Sequence, residues 1–222
     1  MSDKTFKDSP MYPVLFMLAT CVIFVGVLAV MFRSSEAKIE AYKQNAYQGM
    51  ILGLLANSIS EASGESKDDL LREPQVSYTN YIKEIKLPGL DRKVFAAVVN
   101  DSTIAYCFDI GGKGLWGTMR ALAALSLDCK TLLGIVIYEQ METPGLGARI
   151  GEEWFLAQFR NVTLYQPDGT AFEFSFIPEG QKAVDMHQIQ QITGATITSV
   201  SVLKMLRDEI NLINTVNQQQ AQ

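Results

Sequence analysis

From Ser9 to Phe32 the chain carries no charged side chain, and from Met11 onward it is mostly Leu, Val, Phe, Met and Ala. About 22 helical residues, at 1.5 Å rise each, cross the roughly 30 Å hydrocarbon core of a bilayer. Pro13 falls in the first turn, where its missing N–H costs nothing. A cleaved leader would have a shorter apolar core and a small-residue cleavage site, and Ser34-Ser35-Glu36-Ala37 is a poor one. The pattern predicts a retained, single-pass anchor over residues 1–33. Lys4 and Lys7 on one side are matched by Arg33 and Lys38 on the other, so charge does not set its orientation.

Beyond the anchor, Ile39, Tyr42, Ala46, Met50 and Leu54 recur at three- and four-residue steps, which predicts a helix over 36–60. Ser63 to Asp69 is polar and contains Gly64, so a loop is expected there, and 34–75 reads as a helical connector. Residues 76–222 form the expected soluble domain. Its strand patterns are 95–100 and 104–109 around the Asp101-Ser102 turn, 120–127, 131–139, and a hairpin of 162–165 with 171–177 around Asp168-Gly169. A short helix is expected over 152–160. A final helix beginning near Thr198 has Val202, Leu206, Ile210 and Ile213 on its apolar face. The Gln-rich C-terminus is expected to fray. The fold class is α+β: an antiparallel-sheet domain with an N-terminal transmembrane helix.

Composition narrows the chemistry. Hydrophobic residues at 48% and charged residues at 19% describe a globular protein. The net charge of −5 and the lack of a basic run argue against binding nucleic acid. Three cysteines without a CxxC pair, and a single histidine, His187, suggest no metal site and no His-based triad. Cys107 and Cys129 lie in strand-like segments as small core residues, with a disulfide between them left open.

Three stretches stand out. Gly111-Gly112-Lys113-Gly114-Leu115-Trp116-Gly117 fails as a phosphate loop, because Lys113 is followed by Gly114 rather than Ser or Thr. It reads as a flexible loop displaying one large aromatic. Glu142-Thr143-Pro144-Gly145-Leu146-Gly147-Ala148-Arg149-Ile150-Gly151 is no dinucleotide fingerprint, and on local chemistry it is a Pro-Gly turn. Thr193-Gly194-Ala195-Thr196-Ile197-Thr198-Ser199 crowds hydroxyls just before the last helix. Locally this is either an ordinary N-cap on Thr198 or Ser199, or a phosphate seat at unpartnered N–H groups.

Taken together, Thr193-Gly194-Ala195-Thr196, the E-T-P-G-L-G run from Glu142 and the G-K-G-L-W run ending at Trp116 resemble one family. It comprises the FMN-binding C component of Na⁺-translocating NADH:quinone reductases and the related G component of Rnf electron-transport complexes. The resemblance covers the anchor and most of residues 95–213. It implies FMN as cofactor, joined through its phosphate to Thr196 by a flavin transferase. Thr193, Gly194 and Ala195 would form the seat. Leu115, Trp116 and Leu146 would cover the ring, and Thr143 with N–H groups near Gly145 would meet its polar edge. Glu142 would oppose extra negative charge on the reduced flavin. The implied task is electron relay within an ion-translocating oxidoreductase, beside other membrane subunits, with no catalytic residue of its own. The family places its flavin domain on the extracytoplasmic side of the inner membrane. A stand-alone membrane-anchored flavoprotein is the alternative outside these complexes. One position departs from the family: Gln190 stands where an Asp is usual, three residues before the first threonine.

Overall fold

The computed structural model describes residues 11–87, 89–90 and 92–220, with side chains to Ile213. The first ten residues of the expected anchor and the end of the Gln-rich tail lie outside them. Helix α1 runs Met11–Ser63, and the chain divides into two compact units, Met1–Ala46 and Tyr47–Gln222. In the first unit, α1 contains a stretch long and apolar enough to cross a membrane, with none of it buried. Its hydroxyls are satisfied locally: Thr20 donates to the Phe16 carbonyl at 2.8 Å and Ser34 to that of Met31 at 2.9 Å. Such back-bonding suits a helix in surroundings that offer no water.

The second unit begins at Tyr47, well before the boundary expected at residue 76. The reason is packing. Ile51, Leu52, Leu55, Ala56 and Ile59 have no exposed surface, so this end of α1 belongs to the core rather than to a connector. Each of the larger side chains among them contributes roughly 1.5–3 kcal/mol of burial. The expected loop over 63–69 is also shorter. Ser66 caps helix α2 (Lys67–Arg72) by accepting the Asp68 N–H at 3.3 Å, and Pro74 opens helix α3 (Pro74–Tyr81).

Six strands then form one antiparallel sheet in chain order: β1 (Ile82–Ile85), β2 (Val94–Val99), β3 (Ser102–Lys113), β4 (Thr118–Ser126), β5 (Thr131–Glu139) and β6 (Val162–Thr163). The period-2 alternation sorts side chains into two core layers. Phe108, Ile110, Met119, Ala121, Ala123 and Leu125 face the layer of helix α5 (Thr196–Gln220), with Val202, Leu203 and Leu206. Phe95, Ala97, Cys107, Leu122 and Ala124 face the layer of α1, with Ile51, Leu55 and Ile59. Cys107 and Cys129 are buried in different layers and form no disulfide.

Three local expectations are corrected. Gly111 to Lys113 are not loop but the end of β3, paired with Arg120, Met119 and Thr118. The helix expected over 152–160 is broken into α4 (Glu153–Leu156) and a 3-10 turn, Ala157–Phe159, after an earlier 3-10 turn, Gly147–Gly151. The hairpin around Asp168-Gly169 shrinks to one bridge, Tyr165 to Ala171. β7 (Ser175–Ile177) pairs in parallel with β8 (Gln188–Gln190) instead. The antiparallel α+β class itself holds.

Candidate functional site

Three loops meet at the edge of the sheet where β3 turns into β4 and β5 ends. The first is the tight turn Gly114–Gly117, closed by the Gly114 N–H donating to the Gly117 carbonyl at 2.7 Å. It displays Leu115 and Trp116, which are 49% and 69% exposed. The second follows β5. Thr143 to Leu146 form the expected Pro-Gly turn, with the Leu146 N–H donating to the Thr143 carbonyl at 3.1 Å and Gly145 at φ +75°. The Thr143 carbonyl also takes the Ala148 N–H at 3.1 Å, and Leu146 stays exposed.

The third loop leads into α5. Gly194 has φ +77°, the left-handed region that favours glycine, and a Cβ there would meet Leu146 Cδ2 at 3.1 Å. This places Leu146 over the turn. Thr193, Gly194 and Thr196 are exposed, whereas Ala195 is 7% exposed and its methyl joins the α5 core layer. Ala195 therefore anchors the turn from below. Thr196 opens α5, so its hydroxyl projects at a first helical turn whose N–H groups lack helical partners.

The capping expectation is not met. Thr198 is 1% exposed, and its hydroxyl donates to Glu142 Oε2 at 2.6 Å. Ser199 accepts the Ile192 N–H at 3.1 Å and donates back to the Ala195 carbonyl at 3.1 Å, stitching the turn to the helix. Glu142, expected as a carboxylate near the ring, is engaged by its own neighbours. It is 6% exposed, and its Oε1 accepts the Leu115 N–H at 2.8 Å and the Trp116 N–H at 3.2 Å.

A second carboxylate reaches the turn from outside. Glu179 Oε2 accepts the Thr193 N–H at 2.8 Å, and Glu179 Oε1 pairs with Arg149 Nη2 at 2.7 Å. The Arg149 guanidinium, followed by the N–H and hydroxyl of Thr193, pulls the Glu179 carboxyl down to about 2. Gln190 accepts the Gly180 N–H at 2.9 Å through Oε1, so this amide has a structural task of its own. Nothing in the motifs announces Glu179 or the partnership of Glu142 with Thr198. The only sequence signal is glycine at 114 and at 147, where a carboxylate needs room.

The arrangement fits a flavin phosphate and ring. An exposed threonine stands at a helix N-terminus, next to exposed Leu115, Trp116 and Leu146. Residues 114–211 match the family model described as FMN-binding domain, which supports FMN as the cofactor.

The resemblance read from the motifs is borne out as well. The chain is 38% identical over 91 residues to the C component of the Na(+)-translocating NADH-quinone reductase of Pasteurella multocida, covering 41% of this chain and 34% of that protein. It is 37% identical over 93 residues to the corresponding protein of Vibrio anguillarum, covering 42% and 36%. The matched stretch thus spans little more than a third of these relatives. Among solved structures, the equivalent protein from Parabacteroides distasonis superposes with a TM-score of 0.52 at 22% identity, over 79% of this chain and 94% of that one. The Shewanella oneidensis NqrC structure gives 0.52 at 23%, over 64% and 70%. These two likenesses establish the shared antiparallel fold.

Proposed function

We propose that this chain is a membrane-anchored flavoprotein subunit that relays electrons through FMN held by a phosphoester to Thr196 Oγ1. The observation that carries the reading is the exposed Thr196 on the first turn of α5, beside the left-handed Gly194 and the apolar Leu146. When bound, FMN supplies a ring that takes up electrons and passes them on. The chain supplies the rest. Thr196 tethers the cofactor, so it cannot dissociate. The N–H groups at the start of α5 offset phosphate charge. Leu115, Trp116 and Leu146 cover the ring against water, and Thr143 lies within the second loop at its polar edge. A link through phosphate leaves the ring's electronics alone, so tuning falls to these loops. No side chain is assigned a catalytic role.

The names of the relatives support a place in a Na⁺-translocating NADH:quinone oxidoreductase, beside other membrane subunits, with a flavin transferase making the attachment. In this reading α1 crosses the inner membrane once and the domain faces the extracytoplasmic side. The test is Thr196→Val in the full chain, co-expressed with a flavin transferase. Valine keeps the β-branched shape and removes only the nucleophile. Flavin fluorescence on a denaturing gel should vanish while the fold survives; persistence would move the attachment to Thr193. Protease added to spheroplasts should remove the domain after Arg33, and full protection would reverse the orientation.

A further inference from the structure

We infer that Glu142 is a positioning residue for the flavin site, a buried carboxylate that fixes the ring-covering turn relative to the attachment helix. The inference rests on the reading of these loops as the flavin site. Its two oxygens divide the work. Oε1 holds the backbone N–H groups of Leu115 and Trp116, the two residues that present large apolar side chains outward. Oε2 holds the hydroxyl of Thr198, two residues after Thr196. One side chain therefore sets the separation between the ring cover and the tether. The Glu142 N–H is braced in turn by Gln140 Oε1 at 2.6 Å.

Two glycines make the space. A Cβ on Gly114 would collide with Glu142 Oε1. A Cβ on Gly147 would lie 2.7 Å from Oε2, 2.8 Å from Thr198 Oγ1 and 2.9 Å from Glu142 Cβ. Neither glycine has a positive φ, so alanine is acceptable to the backbone at both and would act by evicting the carboxylate. The socket also has a definite polarity. Three donors converge on a group that only accepts when ionised. Glutamine can reproduce the geometry, because its carbonyl can take both backbone N–H groups while its NH₂ donates to a Thr198 hydroxyl turned to accept. Alanine reproduces none of it.

This separates position from charge as the service Glu142 performs. If Glu142 acted on the flavin by its negative charge, glutamine would be as damaging as alanine. If it acts by position, glutamine restores function and alanine does not. The test uses the full chain in detergent, prepared with and without a co-expressed flavin transferase. In the flavin-free chain, Glu142→Ala should speed hydrogen exchange at the Leu115 and Trp116 amides by about tenfold or more, because their acceptor is gone. In the loaded chain the same variant should shift the flavin midpoint potential and raise flavin fluorescence. Glu142→Gln should return all three close to wild type. Gly147→Ala should mimic Glu142→Ala, and the double variant should add nothing further, as expected of residues sharing one site.

Unchanged exchange and potential in a loaded Glu142→Ala chain would overturn the positioning role alone. So would a Glu142→Gln potential as displaced as that of alanine. Should Glu142→Ala fail to fold, Gly147→Ala and Glu142→Gln still decide the matter. A wild-type chain that takes up no FMN from the transferase would instead sink the flavin-site reading itself.

Discussion

Two carboxylates of the second unit each gather three donors, yet they hold different kinds of structure. Asp109, on β3, accepts from Tyr47 on α1 at 2.9 Å, from Arg120 on β4 at 2.9 Å and from Tyr138 on β5 at 2.8 Å. All three donors are long side chains whose stems are already packed. Tyr47 meets the rings of Phe95 and Tyr138 edge-on at 5.9 and 5.3 Å, and Arg120 lies 5.8 Å from the Tyr138 ring centroid. Burial, and then the Asp109 charge, push the Tyr47 phenol well above its ordinary range, so it stays a donor at any physiological pH. Glu142 instead holds the backbone of an exposed turn that has little apolar packing beneath it. Removing Asp109 unties elements that the core still holds together. Removing Glu142 leaves the Leu115 and Trp116 amides without their acceptor, in a turn closed at its base by the Gly114 N–H on the Gly117 carbonyl.

The comparison breaks most sharply at Asp109. Asp109→Ala leaves two phenols and a guanidinium without their acceptor, at a site where Arg120 remains half exposed and can turn to water. A loss of about 2–3 kcal/mol is expected, which lowers Tm by roughly 4–12 °C for a unit of this size. Hydrogen exchange at the Leu115 and Trp116 amides should stay as in wild type. Loosening of those amides in step with the fall in Tm would show that the two carboxylates serve one cooperative structure.

Legibility from the sequence follows the same division. β5 is readable to the residue because 131–139 is a nearly continuous apolar run between clear turns. The turn expected at Asp101-Ser102 lies one residue earlier: Asn100 and Asp101 both adopt positive φ, and Ser102 already opens β3. The glycines at 111 and 112 mislead, since both lie within β3; a Cβ on Gly112 would strike Met205 of α5. Such contacts belong to tertiary packing, which periodicity does not encode. The end of α1 reads as a connector for a similar reason: an amphipathic repeat shows that one face is buried, not what buries it. At the site, all three loops are legible as motifs. Their joining is not, because Glu142 and Thr198 lie 56 residues apart and meet only once the sheet sets their register.

A smaller effect sharpens the Glu142 side. Thr198→Val removes one of the three donors and leaves Oε2 facing a methyl in a site only 1% exposed. The cost should be about 1–2 kcal/mol, more than an exposed cap would lose and less than the loss of Asp109. Its place in the chain is the informative part. A capping threonine would, on removal, fray the first turn of α5. A threonine that holds Glu142 would on removal loosen the Leu115 and Trp116 amides, far earlier in the chain, while the α5 amides beyond Ser199 keep their protection. Fraying confined to α5 would return Thr198 to the capping role.

The smallest expected effect concerns Glu179, a third carboxylate that combines both habits, holding the Arg149 side chain and the Thr193 backbone. Its carboxyl is pulled from an ordinary 4.5 down to about 2. Between those values the unfolded chain binds a proton that the folded chain does not. The contact therefore contributes in full above about pH 4.5, and its contribution drains away as pH falls toward 2. Because the pair is open to solvent, the change in overall stability should be slight. The local change should be clear. In a spectrum of the flavin-free chain, the Thr193 amide resonance should move with a midpoint near pH 2, and Glu179→Gln should abolish that movement. A midpoint at the ordinary glutamate value would mean that Arg149 does not hold Glu179 in solution. The turn that carries Thr196 would then be set from below alone, by Ala195, Ser199 and the Glu142 socket.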